Sequence, residues 1–146
     1  LGDVYKRQIV SSVGQSVYEE RHSEGDISMT VQECYEQAGL DYNDVKDRIG
    51  NEAIIKKFAI KFLSDRSFKD LEDGIDEGDG EKAFRAAHNM KGICLNLGFT
   101  PLYEAACEIT EKLRGRETEG SAQLFEKVRA EYIKLTDCIN KLAAED

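Results

Sequence analysis

The residues best placed to do chemistry surround one histidine, in the run Ala83-Phe84-Arg85-Ala86-Ala87-His88-Asn89-Met90-Lys91-Gly92-Ile93-Cys94-Leu95. Advancing about 100° per residue, as a helix does, puts Ala83, Ala87, Met90, Cys94 and Leu97 on one stripe that must face a core. His88 falls well away from that stripe and is expected to point into solvent, with Phe84, Lys91, Gly92 and Leu95 in the same or neighbouring directions. A neutral imidazole has a free lone pair and can attack an electrophile without a separate base. Lys91, at i+3, can place an ammonium beside an anion attached to that ring. Gly92 costs about 1 kcal/mol relative to Ala inside a helix, and on this face it clears side-chain bulk from the approach to the imidazole. Phe84 and Leu95 supply an apolar rim for docking. The combination describes a nucleophile with an open approach and a cation for a bound phosphoryl group. The plainer reading is an ordinary solvated histidine; the three kinds of neighbour favour the reactive one.

Such a helix needs others to hold it. Thr30 with Glu33 three residues later reads as a capping box, and Gly39 as a stop. Asp41 to Ile49 is a second short helical segment. Asn51 opens a third, with Ile54, Ile55, Phe58, Phe62 and Leu63 as its packing stripe. Ser67 is expected to cap a fourth, through about Ile75, before a Gly78-Asp79-Gly80 loop. Three longer segments follow: about 80–97, about 101–114 starting at Pro101 in a first-turn position, and about 121–142. Leu102, Ala106, Ile109 and Leu113, then Leu124, Val128, Leu135, Ile139 and Leu142, form their apolar stripes. Short links favour antiparallel neighbours. The expected fold is all-α: an up-and-down antiparallel four-helix bundle, from the segments beginning near 51 or 67, 80, 101 and 121, with additional short N-terminal helices packed across it.

The chain has 146 residues, near the modal size of one domain, with 34% charged residues, a single Pro and no Trp. Its net charge of −9 would repel a nucleic-acid backbone and an anionic leaflet, so neither is an expected partner. No apolar run approaches the roughly 18–20 residues of a membrane span, and no secretory signal opens the chain; a cytoplasmic location is expected. Cys34, Cys94, Cys107 and Cys138 are too far apart for a C-x-x-C site and are expected to be reduced structural thiols. The acidic run from Asp70 to Glu81 lacks Ca²⁺-loop spacing and reads as a solvated helix end and turn.

Residues 1–28 are set apart. Asp3-Val4-Tyr5-Lys6-Arg7-Gln8 resembles the translation of an adaptor used in sequencing libraries. Glu24-Gly25-Asp26 can be back-translated into a ribosome-binding sequence just before Met29. We expect residues 1–28 to be a non-native or disordered leader, Met29 to be the natural start, and residues 29–146 to be the functional domain.

Ala87-His88-Asn89-Met90-Lys91-Gly92, followed by Leu97-Gly98 and Leu102, resembles the signature of histidine-containing phosphotransfer (HPt) domains, with Met90 in place of the usual Leu, a volume-conserving change. More loosely the resemblance extends over about residues 45–115. It implies a phosphoryl carrier of a two-component phosphorelay, accepting from and donating to receiver-domain aspartates through phosphohistidine at His88. By the same resemblance Lys91 offsets the phosphoryl charge, Gly92 gives steric access, and Phe84, Arg85, Asn89 and Leu95 dock the partner. The implied partners are a response-regulator receiver domain and a hybrid histidine kinase. Mg²⁺ is expected on the receiver, and this chain, expected to be monomeric, needs no cofactor or metal of its own. With no Walker-type loop, ATP-dependent autophosphorylation is not expected.

Two other classes of function fit less well. A helical interaction module would dock through Phe84 and Leu95 with His88 never modified. A small metal-binding bundle would need more than one histidine after Met29, or an E-x-x-H pair.

Overall fold

A computed structural model describes residues 29–144. The expectations for residues 1–28 lie outside the described residues. Among the described residues seven α-helices run in order: α1 Val31–Gln37, α2 Tyr42–Ile49, α3 Glu52–Lys61, α4 Ser67–Glu77, α5 Gly80–Leu97, α6 Thr100–Lys112 and α7 Ala122–Ala144, with single 3₁₀ turns at Phe62–Ser64 and Leu113–Gly115. Among the described residues there is no strand, as the all-α reading requires, and no helix is long and apolar enough to cross a membrane.

Local chemistry starts most of these helices where expected. The Thr30 hydroxyl accepts from the Glu33 N–H at 3.0 Å while the Thr30 N–H donates to the Glu33 carboxylate at 2.8 Å, satisfying two terminal donors reciprocally. Asp41, Asn51 and Asp79 accept from the backbone N–H three residues on. Ser67 departs from expectation. It is the first helical residue and is buried, and its N–H donates to the Asp65 carboxylate at 2.8 Å, so Asp65 does the terminal work assigned to Ser67.

Helices α4 to α7 form an up-and-down bundle. Ser67 pairs with Asn89, Glu77 with Lys82, Glu81 with Arg116 and Glu108 with Lys127, so successive helices run antiparallel. The α4–α5 approach is backbone to backbone: a Cβ on Gly74 would lie 2.7 Å from the Ala83 nitrogen. Between α4 and α7 the gap is filled by rings. Phe68 stacks on Tyr132 at 4.0 Å and on Phe125 at 5.4 Å, and the series continues from Tyr132 through Phe62 and Phe99 to Tyr35 of α1. Arg129, paired with Glu72 at 2.8 Å, lies over Phe68 and Phe125.

The stripe of α3 is narrower than expected. Ile55, Ala59 and Phe62 are buried, Leu63 is half-buried, and Ile54 and Phe58 remain 41% and 42% exposed. A ten-residue helix at the edge of a bundle buries one line of side chains rather than a broad face. The N-terminal helices nevertheless tie down the end of α5. The Tyr35 hydroxyl donates to the Leu97 carbonyl at 2.6 Å. Arg48 donates to the carbonyls of Leu95 and Asn96 at 3.0 and 2.9 Å, supplying a cation and donors where the last carbonyls of a helix lack partners. Gly98, at φ 72°, then ends the helix in the left-handed region.

All four cysteines are free thiols, three of them buried and Cys107 half-buried. Burial, with neighbouring Cys138 adding to it, pushes the Cys34 thiol up to about 11, and burial followed by Asp65 and Cys107 pushes Cys94 up to about 12. A group whose pKa is raised on folding stabilises the fold below its unfolded value and loses that contribution as pH climbs through the folded one. The urea midpoint is therefore expected to hold from pH 7 to about 9 and to fall above it. At pH 8 a thiol reagent should label Cys107 in the native protein and reach Cys34 and Cys94 only after unfolding; immediate labelling of all four would contradict the buried placement.

Candidate functional site

Helix α5 is the longest element beside α7, and its face assignment follows from its inward residues. Ala83, Ala87, Met90 and Cys94 are fully buried and Leu97 nearly so. Opposite them His88 and Gly92 are exposed, and Leu95 is 55% exposed despite its apolar side chain. A Cβ on Gly92 would meet nothing within 4 Å, so the helical turn after His88 is bare. Among the described residues the His88 ring nitrogens make no hydrogen bond or ion pair; its one ring contact is with Phe84, nearly parallel at 18° with centroids 6.0 Å apart. The exposed imidazole thus lies beside an aromatic ring, with both nitrogens unpartnered among the described residues.

The remaining expected residues lie around this pair, two of them differently from expectation. Phe84 and Lys91 are half-buried rather than exposed, and Phe84 is covered by side chains following α6. Arg116 sits over the Phe84 ring at 3.9 Å and Arg114 lies 5.6 Å from its centroid. Lys91 is within electrostatic reach of Glu111 of α6. Hydrogen bonding to Arg114 chiefly, then the charge of Arg114 and after it that of Lys91, hold the Glu111 carboxyl below the usual carboxylate range. On the α4 flank, Arg85 donates to Glu81 at 2.6 Å, and the Asn89 amide, although exposed, is tethered by donating to the Ser67 hydroxyl at 2.6 Å. These side chains and Asp70 line an open groove between α4 and α5.

Four residues that sequence reading missed complete the surroundings: Ser67, Glu111, Arg114 and Arg116. Around the Phe84–His88 pair stand Arg85, Lys91, Arg114 and Arg116, with Glu81 and Glu111 between them. On a chain of net charge −9 this is a local excess of positive charge, which suits an incoming anion. Among the described residues no group of three His, Cys, Asp or Glu is placed to hold a metal ion.

The bundle thus presents one exposed imidazole beside a bare turn and a cationic rim. The chain belongs to the Hpt domain family: the family's sequence model matches residues 64–145, more than half of the chain and all of α4 to α7. Family membership gives it a phosphotransfer role in phosphorelays of two-component signalling, as a phosphocarrier rather than a kinase; Hpt domains work there with response-regulator receivers and histidine kinases. No curated protein and no solved structure matches the chain. Helices α1, α2 and α3 precede the matched segment.

Proposed function

We propose that His88 is the phosphorylated residue, taking a phosphoryl group from an aspartyl phosphate on a receiver domain and passing it to a second receiver. The observation that carries this reading is the pairing of an exposed imidazole, whose nitrogens have no partner among the described residues, with a following turn left bare at Gly92. In the step, a ring nitrogen attacks phosphorus, an N–P bond forms, the P–O bond of the acyl phosphate breaks, and the aspartate leaves as carboxylate. The ring proton passes to solvent, and the reverse sequence loads the next receiver. Mg²⁺ belongs to the receiver, and this chain contributes position and charge, the main demands of phosphoryl transfer. Lys91, one turn on from His88, offsets the phosphoryl charge. Phe84, Arg85, Asn89 and Leu95 make the rim on which the receiver sits. The chain works as a monomer in the cytoplasm, with a hybrid histidine kinase upstream.

A phosphorylated receiver incubated with the chain tests this. Acid-labile, alkali-stable label should appear on the chain and vanish in His88→Gln with no change in melting temperature. Stable binding with no label would instead make the surface a docking module, and label persisting in His88→Gln would move the phosphoryl site elsewhere.

A further inference from the structure

Arg116 is the one described non-glycine residue with positive φ, at 63°, a conformation in which the Cβ of any L residue crowds the backbone and which is found at sites where the surroundings over-determine it. Several contacts hold it there. Its carbonyl is packed against Gly80, where a Cβ would come within 1.8 Å of the oxygen. Its N–H donates to the Leu113 carbonyl at 2.8 Å, its guanidinium to the Arg114 carbonyl at 2.6 Å and to the Glu81 carboxylate at 3.0 Å. Glu81 is itself steadied by Arg85; hydrogen bonds from Arg116 first, then Arg85, hold its carboxyl below the usual range. From this anchored position the guanidinium covers the Phe84 ring, and Phe84 lies alongside His88. The contacts run from the loop after α6 to the imidazole, and none of them blocks the ring nitrogens.

We propose that Arg116 is a positioning residue for phosphotransfer: it fixes the Phe84 ring beside His88 and thereby keeps the imidazole in one orientation toward the incoming phosphoryl group. The proposal rests on His88 being the phosphorylated residue. An exposed histidine on a helix has several rotamers open to it, and a ring clamped at its side removes those in which the nitrogens point along the surface. Planar stacking matters here as well as charge, so lysine should be a poor substitute.

The test uses the full chain with Arg116→Asn, since asparagine tolerates positive φ, and Arg116→Gly, which relieves the backbone and keeps the chain folded; Arg116→Lys separates charge from stacking. Wild type should give NMR cross-relaxation between the Phe84 ring and the His88 imidazole. Arg116→Asn and Arg116→Gly should lose it and slow transfer from a phosphorylated receiver about 5- to 10-fold, a range set by a cation–π contact and the loss of a fixed reacting geometry. Arg116→Lys should recover less than half of the lost rate. Unchanged cross-relaxation, or an unchanged rate once the contact is lost, would overturn the proposal while leaving phosphohistidine in place. A wild-type chain that never takes label would refute the phosphocarrier reading and this inference together.

Discussion

Gly92→Gln is expected to cut phosphotransfer by about 100-fold or more while leaving the protein folded and slightly more stable. The two effects have separate causes. A mid-helix glycine gives up roughly 1 kcal/mol relative to a good helix former, and with nothing within 4 Å of an added Cβ the new side chain meets no clash, so the melting temperature should rise by about 2–5 °C. The same side chain, one turn from His88 on the same exposed face, stands where a receiver's active site must close, and a displacement of about 1 Å in a reacting geometry costs on the order of 100-fold. Gly92→Ala is the control: the same gain in stability with most of the transfer rate kept. Rapid-quench time courses against a phosphorylated receiver, read beside thermal melts, check both. Full-rate transfer by Gly92→Gln would mean that the partner does not approach over this turn.

Gly80→Ala should behave in the opposite way. Alanine at the first position of a helix ordinarily stabilises it, but here the added Cβ would lie 1.8 Å from the Arg116 carbonyl oxygen and 2.2 Å from its carbon. Backbone rather than a pliable side-chain end has to move, so we expect a loss of about 2–3 kcal/mol, seen as a lower urea midpoint at unchanged m. Because the displaced residue is Arg116, the cover over Phe84 should loosen as well. Gly115→Ala, in the same loop and with open space at its Cβ, is expected to stay within about 0.5 kcal/mol of wild type. Equal stabilities for the two variants would contradict the close packing of the loop on the start of α5.

Much of this arrangement follows from helical periodicity alone. The 100° rotation per residue separates Ala83, Ala87, Met90, Cys94 and Leu97, all buried, from His88, Gly92 and Leu95, all exposed, because a helix's facing depends on local spacing alone. Caps at Thr30 and Asn51 were legible for the same reason: donor and acceptor lie three residues apart. Contacts between distant segments left no such trace. Arg116 meets Glu81 across 35 residues, and its place over Phe84 depends on a positive φ that no periodic pattern encodes. Gly80 read as part of a loop and Gly74 as one more position of a helix, yet each is the point where two backbones come too close for a Cβ. Ser67 looked like a helix cap by type and position; its burial and its bond to Asn89, 22 residues on, depend on how α4 lies against α5. Ile54 and Phe58 followed the helical spacing, but spacing does not say how much of a short edge helix its neighbours will cover.

The most direct measurement is of the chemical bond itself. The chain, labelled with ¹⁵N in its histidines and loaded by a phosphorylated receiver, should show a phosphorus–nitrogen coupling on one ring nitrogen of His88, with the His88→Gln chain assigning the signal against His22, the sequence's other histidine. Coupling at His88 is the expected result. Phosphorus bound to some other residue, or a loaded chain whose His88 nitrogens remain uncoupled, would contradict it.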